Sequence, residues 1–168
     1  MTLSDKELAF EQIFTKYSKD IFRFAYLRLS SYEAAEDLTS EVFIKFWHKF
    51  KAENVINNDR ALLYTIAHGL VIDEYRKNKS KEIVSIEITD ERLLTRFDSI
   101  EKEIDVREAM SDVHKKLQTL KPEVRDILLM FYIDELSTQE IAQLLKKPEG
   151  TVRVMVHRAL GSLRKMYG

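Results

Sequence analysis

The chain has no cysteine, which excludes disulfides and thiolate metal sites and suits a reducing cytoplasm. Glycine and proline are scarce, four and two among 168 residues, so few positions supply the turns that a β-rich fold needs. Strand-like alternation is confined to residues 83–88, IVSIEI. No apolar run approaches the roughly 20 residues of a membrane helix, and the start, MTLSDKELAFEQ, is polar and acidic, unlike a secretory signal. These absences predict a soluble, cytoplasmic, helical protein with no membrane contact of its own.

Clustered chemistry is missing as well. His48, His68, His114 and His157 fall on separate predicted elements, without metal-ligand spacing. Glu36 with Asp37, and Asp73 with Glu74, are adjacent in sequence and so point in different directions on a helix. No catalytic site, metal or cofactor is expected, and the chain is not read as an enzyme.

What is present is helical periodicity in two blocks. Phe10, Ile13, Phe14, Tyr17, Ile21, Phe24 and Ala25 trace one stripe, and residues 32–50 and 59–77 read as two further helices. The pattern lapses after Lys81 and resumes near Ile104, through Val106, Met110, Val113, Leu117 and Leu120, with Pro122 suited to a helix first turn. The expected fold is all-α: two small helical domains, 1–80 and 106–168, joined by a linker over 81–105.

Net charge is only −1, but it is unevenly spread. Residues 81–108 carry 5 Lys+Arg against 9 Asp+Glu, so the linker is acidic. From Lys146 onward the balance is 6 against 1 in favour of bases. Phosphate neutralisation supplies most non-specific DNA affinity, so a weakly charged chain with one basic helix needs something else to bring it to DNA.

That basic helix has a defined setting. Ser137 and Glu140 have capping-box spacing, which predicts a helix from Thr138 to Leu145 and a turn over residues 146–149. In the helix that follows, Val152, Met155, Val156, Ala159, Leu160 and Leu163 form an apolar stripe. The opposite arc carries Arg153, Val154, His157, Arg158, Arg164 and Lys165, and Gly150 beside Thr151 leaves room for a phosphate. Helix, short turn and cationic second helix together are the pattern of a DNA-binding helix-turn-helix. An amphipathic terminal helix with a solvated charged face is the plainer alternative.

A second face stands out on residues 32–50. Its core stripe is Ala35, Leu38, Val42, Phe43, Phe46 and Phe50, yet Ile44 and Trp47 project outside it among Glu33, Asp37, Ser40, Glu41 and His48. Either the helix is buried on two sides, or an apolar patch with an acidic rim awaits a basic partner helix.

The stretches AAEDLTSEVFIKFW, RALLYTIAHGLVIDEYRKNK and STQEIAQLLKKPEGTVRVMVHRALGSLR, in this order and spacing, resemble the extracytoplasmic-function group of bacterial RNA polymerase sigma factors. The resemblance covers nearly the whole chain. It implies a sigma region-two domain, a linker and a sigma region-four domain, in a removable specificity subunit of core RNA polymerase. By that resemblance Asp37, Leu38, Glu41, Phe43, Ile44 and Trp47 dock on the polymerase.

The loop KAENVINND would capture a flipped base of the −10 element, with Asn57 and Asn58 reading base edges, Tyr64 and His68 stacking, and Arg60, Arg76 and Lys77 on phosphates. Alternatives stay open here: Tyr64 as a core aromatic, the asparagines as turn residues, and Asp73 pairing with Arg76 or Lys77. Leu62 replaces the family's usual Trp, and His68-Gly69 its usual Arg-Asn.

At the −35 element, Arg153 and His157 would contact bases. Thr138, Gln139, Thr151, Arg158, Arg164 and Lys165 would hold the backbone. Pairing with Glu149, or a capping role, is the alternative for Arg158. The resemblance further implies promoter DNA and a cognate anti-sigma factor as partners. A conventional helix-turn-helix regulator that binds duplex DNA without polymerase, and an adaptor that never touches DNA, are the competing functions.

Overall fold

Small polar residues begin the helices of the first half, and each does so by accepting a backbone hydrogen bond. In the computed structural model, which describes residues 1–53, 56–78, 112 and 114–167, Thr2 and Asp5 close a reciprocal capping box on α1 (Leu3–Leu29). Ser31 caps α2 (Tyr32–Ala52) by accepting from the Ala34 amide, and Asn58 caps α3 (Asp59–Lys77) by accepting from the Ala61 amide at 3.0 Å. Such caps stabilise a helix by about 1 kcal/mol each. Only Ser30 and Ser31 separate α1 from α2, and Ser30 turns the chain in the left-handed region at φ 54°. The two helices therefore fold back on each other as a hairpin.

Across α1, α2 and α3 the buried stripes meet as Ile21, Phe24, Ala25, Val42, Phe46, Leu63, Ala67 and Val71, all inaccessible to solvent. Arg28 is buried with them. Its guanidinium lies 3.5 Å from the Phe24 ring centroid and donates to the Phe24 carbonyl at 2.9 Å.

The second half contains α4 (Pro122–Leu128), α5 (Thr138–Leu145) and α6 (Glu149–Tyr167), with residues 114–118 also helical. Pro122 stands at the first turn of α4, where a missing amide costs nothing. A π-helical turn, Leu129–Ile133, continues α4, and the Asp134 amide reaches five residues back to the Leu129 carbonyl at 2.8 Å. The predicted capping box of Ser137 and Glu140 is present on α5. Lys146 ends α5 in the left-handed region at φ 55°, and the Lys147 amide donates to the Ala142 carbonyl at 3.0 Å. Since α6 begins at Glu149, the turn is one residue shorter than predicted. Ile141, Val152 and Met130 are fully buried beneath it.

No strand occurs among the described residues, in keeping with the all-α expectation. Both residues 83–88 and the expected linker over 81–105 lie outside them. The chain divides into two compact units, Met1–Val84 and Ser85–Gly168.

Candidate functional site

The outward face of α6 is built by the burial of the inward one. Val152 and Ala159 are sealed against α4 and α5, and Val156 is buried with them, which turns Arg153, His157, Arg158, Arg164 and Lys165 to solvent. Thr151 and Gln139 are exposed too, and Thr138 is half-buried.

Glu149 organises the start of this face. Its Oε1 accepts from the Thr138 hydroxyl at 3.0 Å and from the Arg153 guanidinium at 2.8 Å. The Thr138 bond foremost, then the Arg153 and Gln139 contacts, hold its carboxyl below the usual range. The partner of Glu149 is thus Arg153 one turn on, rather than Arg158. Sequence reasoning missed this organiser, although the i,i+4 spacing of Glu149 and Arg153 was visible.

In the first unit, an apolar groove of about 480 Å³ runs between the N-terminal half of α1 and α2, lined by Phe10, Phe14, Phe43, Ile44 and Trp47. The Phe10 ring lies 5.1 Å from that of Trp47, and Phe14 meets Phe43 edge-on at 4.9 Å. Ile44 is 56% exposed and Phe14 45%. Asp37 and Glu41 are exposed on the same helix, with Lys45 3.8 Å from Glu41. Leu38 and Phe43, however, are core residues, 4% and 3% exposed. Trp47 is half-buried because Phe10 covers one side of it. Phe10 and Phe14, which lie on the α1 stripe, were not among the expected site residues.

Around the loop before α3 the expected residues separate. Asn57 is exposed, whereas Asn58 is committed to its cap. Tyr64 is 1% exposed and packs edge-on against Phe24 at 5.4 Å, so it serves as a core aromatic. The Arg60 guanidinium lies 5.3 Å from the Tyr64 ring centroid. His68 is half-buried, and burial first, then the nearby Arg28 charge, push its pKa down to about 4. It is therefore neutral near pH 7, and its Nδ1 is buried without a hydrogen-bond partner among the described residues. Arg76 and Lys77 are exposed at the end of α3, 3.9 Å from Asp73 and 3.7 Å from Glu74, pairs too solvated to be worth more than about 1 kcal/mol.

Among the described residues no group of three or more His, Asp or Glu side chains is placed to hold a metal ion. Among the described residues no helix is long and apolar enough to cross a membrane.

Known proteins share this organisation. Residues 13–81 match the family described as sigma-70 region 2, and residues 110–163 the family described as sigma-70, region 4. The ECF RNA polymerase sigma factor SigW of Bacillus subtilis is 30% identical over 164 residues, covering 94% of this chain and 88% of SigW. The RNA polymerase sigma factor YlaC of the same organism is 26% identical, covering 92% and 90%. Among solved structures, the sigma factor RpoE of Bartonella quintana, crystallised with the anti-sigma factor NepR, superposes with a TM-score of 0.71 at 20% identity, covering 95% of this chain and 96% of RpoE. CnrH, solved with the cytosolic domain of CnrY, gives the same TM-score at 18% identity, over 96% and 88%. With both sigma regions in order and a relative this similar over nearly its full length, the chain belongs to the extracytoplasmic-function RNA polymerase sigma factors.

Proposed function

We propose that this chain is an alternative sigma factor that binds bacterial core RNA polymerase and directs it to promoters. The observation that carries this reading is the pairing of two unlike surfaces on two units: an apolar groove with an acidic rim, and a helix-turn-helix with a cationic outer face. A conventional regulator needs the second surface only.

On the first unit the docking surface consists of Asp37, Glu41, Ile44 and Trp47, with Phe10 and Phe14 added from α1; Leu38 and Phe43 support it from beneath. Asn57, Arg60, Arg76 and Lys77 face the opened −10 strand, and His68 contributes a neutral ring. Tyr64 and Asn58 hold the local structure. On the second unit Arg153 and His157 face base edges of the −35 element, while Thr138, Gln139, Thr151, Arg158, Arg164 and Lys165 position the helix on phosphates. Arg153 reaches a base by leaving Glu149, exchanging one hydrogen-bonded partner for another. A cognate anti-sigma factor would act by covering one of these surfaces.

Run-off transcription from a library of promoter fragments, using core polymerase with and without this chain, tests the reading. Products that require the chain and share motifs near −35 and −10 are expected. No chain-dependent product, together with tight duplex binding by the chain alone, would establish the conventional regulator instead.

A further inference from the structure

Val154 lies near the middle of the basic face of α6, yet it is apolar and 47% exposed. An isolated exposed valine needs no explanation by itself. Its position does, because at about 100° per residue the arc of α6 opposite the buried stripe runs Arg153, Arg164, His157, Gly150, Gly161, Val154, Lys165, Arg158. Cations stand on both edges, and the uncharged Gly150, Gly161 and Val154 occupy the centre.

A helix seated in a major groove meets two phosphate backbones at its flanks and base edges along its middle. On α6 the charged phosphate contacts Arg164, Lys165 and Arg158 stand on both sides of Val154, in keeping with that division. Gly150 strengthens the point: a Cβ added there would meet nothing within 4 Å, so no packing inside the protein calls for glycine. A helical side chain leans over the turn on its N-terminal side, so the Val154 methyls lie toward the space that Gly150 leaves open. A base edge can approach there without meeting a side chain. Valine offers neither donor nor acceptor, and the one apolar group on the major-groove edge of a base pair is the thymine 5-methyl.

We propose that Val154 reads the 5-methyl group of one thymine in the upstream promoter element. The inference rests on the sigma-factor reading above and adds a base-specific contact to it.

The test uses holoenzyme assembled from core polymerase and the full chain, on a promoter recovered by run-off selection. Each thymine of the upstream element, on either strand, is replaced in turn by deoxyuracil, which removes the methyl and nothing else. One replacement should weaken promoter binding by wild type about three- to fivefold, the worth of one buried methyl-sized contact. Val154→Ala should bind the thymine promoter that much more weakly and be indifferent to the replacement, whereas Val154→Thr, which keeps a methyl, should retain part of the difference. Because the residue is exposed, both variants should keep the wild-type circular dichroism spectrum. Transcription unaffected by every thymine replacement, or an equal loss in wild type and Val154→Ala, overturns the role of Val154 and leaves the sigma reading intact. No chain-dependent transcription at all overturns both.

Discussion

Glu149 is the single acidic residue from Lys146 onward, and it restrains the arginine nearest the start of the recognition face. Its carboxyl titrates below its ordinary 4.5, so the ionised form is favoured in the folded chain. The carboxylate is ionised throughout pH 6–8, so its charge stands beside Arg153 across that range and is lost only as pH falls through the lowered value. Glu149→Gln keeps an oxygen but removes the charge, and it should tighten binding of the chain to duplexes of any sequence about fivefold near 0.1 M salt. Fluorescence anisotropy on promoter and scrambled duplexes would measure this; unchanged affinity for the scrambled duplex would mean that Glu149 does not hold Arg153 back. The apolar stripe and the capping box here were readable in the sequence because both are local and periodic. The choice of Arg153 over Arg158 was legible too, since Arg153 is one turn from Glu149 while Arg158 lies about 13 Å from it along the helix; the Thr138 bond was not, because it joins two helices.

On α2, periodicity and family resemblance gave different accounts of the same residues. The 3.6-residue stripe put Leu38 and Phe43 in the core, while resemblance put them in the docking set; both are buried. Ile44, outside the stripe, is exposed as the period requires. Trp47 was not legible from α2 alone, since its cover, Phe10, comes from α1. Tyr64 likewise owes its burial to Phe24 on another helix. Substitution of the two exposed positions, Asp37→Arg with Ile44→Glu, should shift stability by less than about 0.5 kcal/mol each and abolish assembly with core polymerase. Thermal unfolding and co-purification with core enzyme read the two effects separately. Normal assembly by this double variant would remove the face from its assigned role.

For the whole molecule, a net charge of −1 limits what the cationic face of α6 can achieve unaided. If Arg158, Arg164 and Lys165 supply the charged phosphate contacts, the logarithm of duplex affinity should fall with that of salt at a slope of about −3. A titration series between 50 and 200 mM salt would test this, and a slope near −8 would require a second basic surface. Free chain should therefore search DNA weakly and act through polymerase. Chain length is constrained unevenly too. Deleting a residue from an α-helix rotates everything beyond it by about 100° and turns its buried face outward. The π-helical turn Leu129–Ile133 already spends one residue more than an α-helical path requires. Loss of a residue there would tighten the turn to the ordinary pitch and leave both flanks in phase, making it a place where the chain can shorten without rewriting the faces that follow.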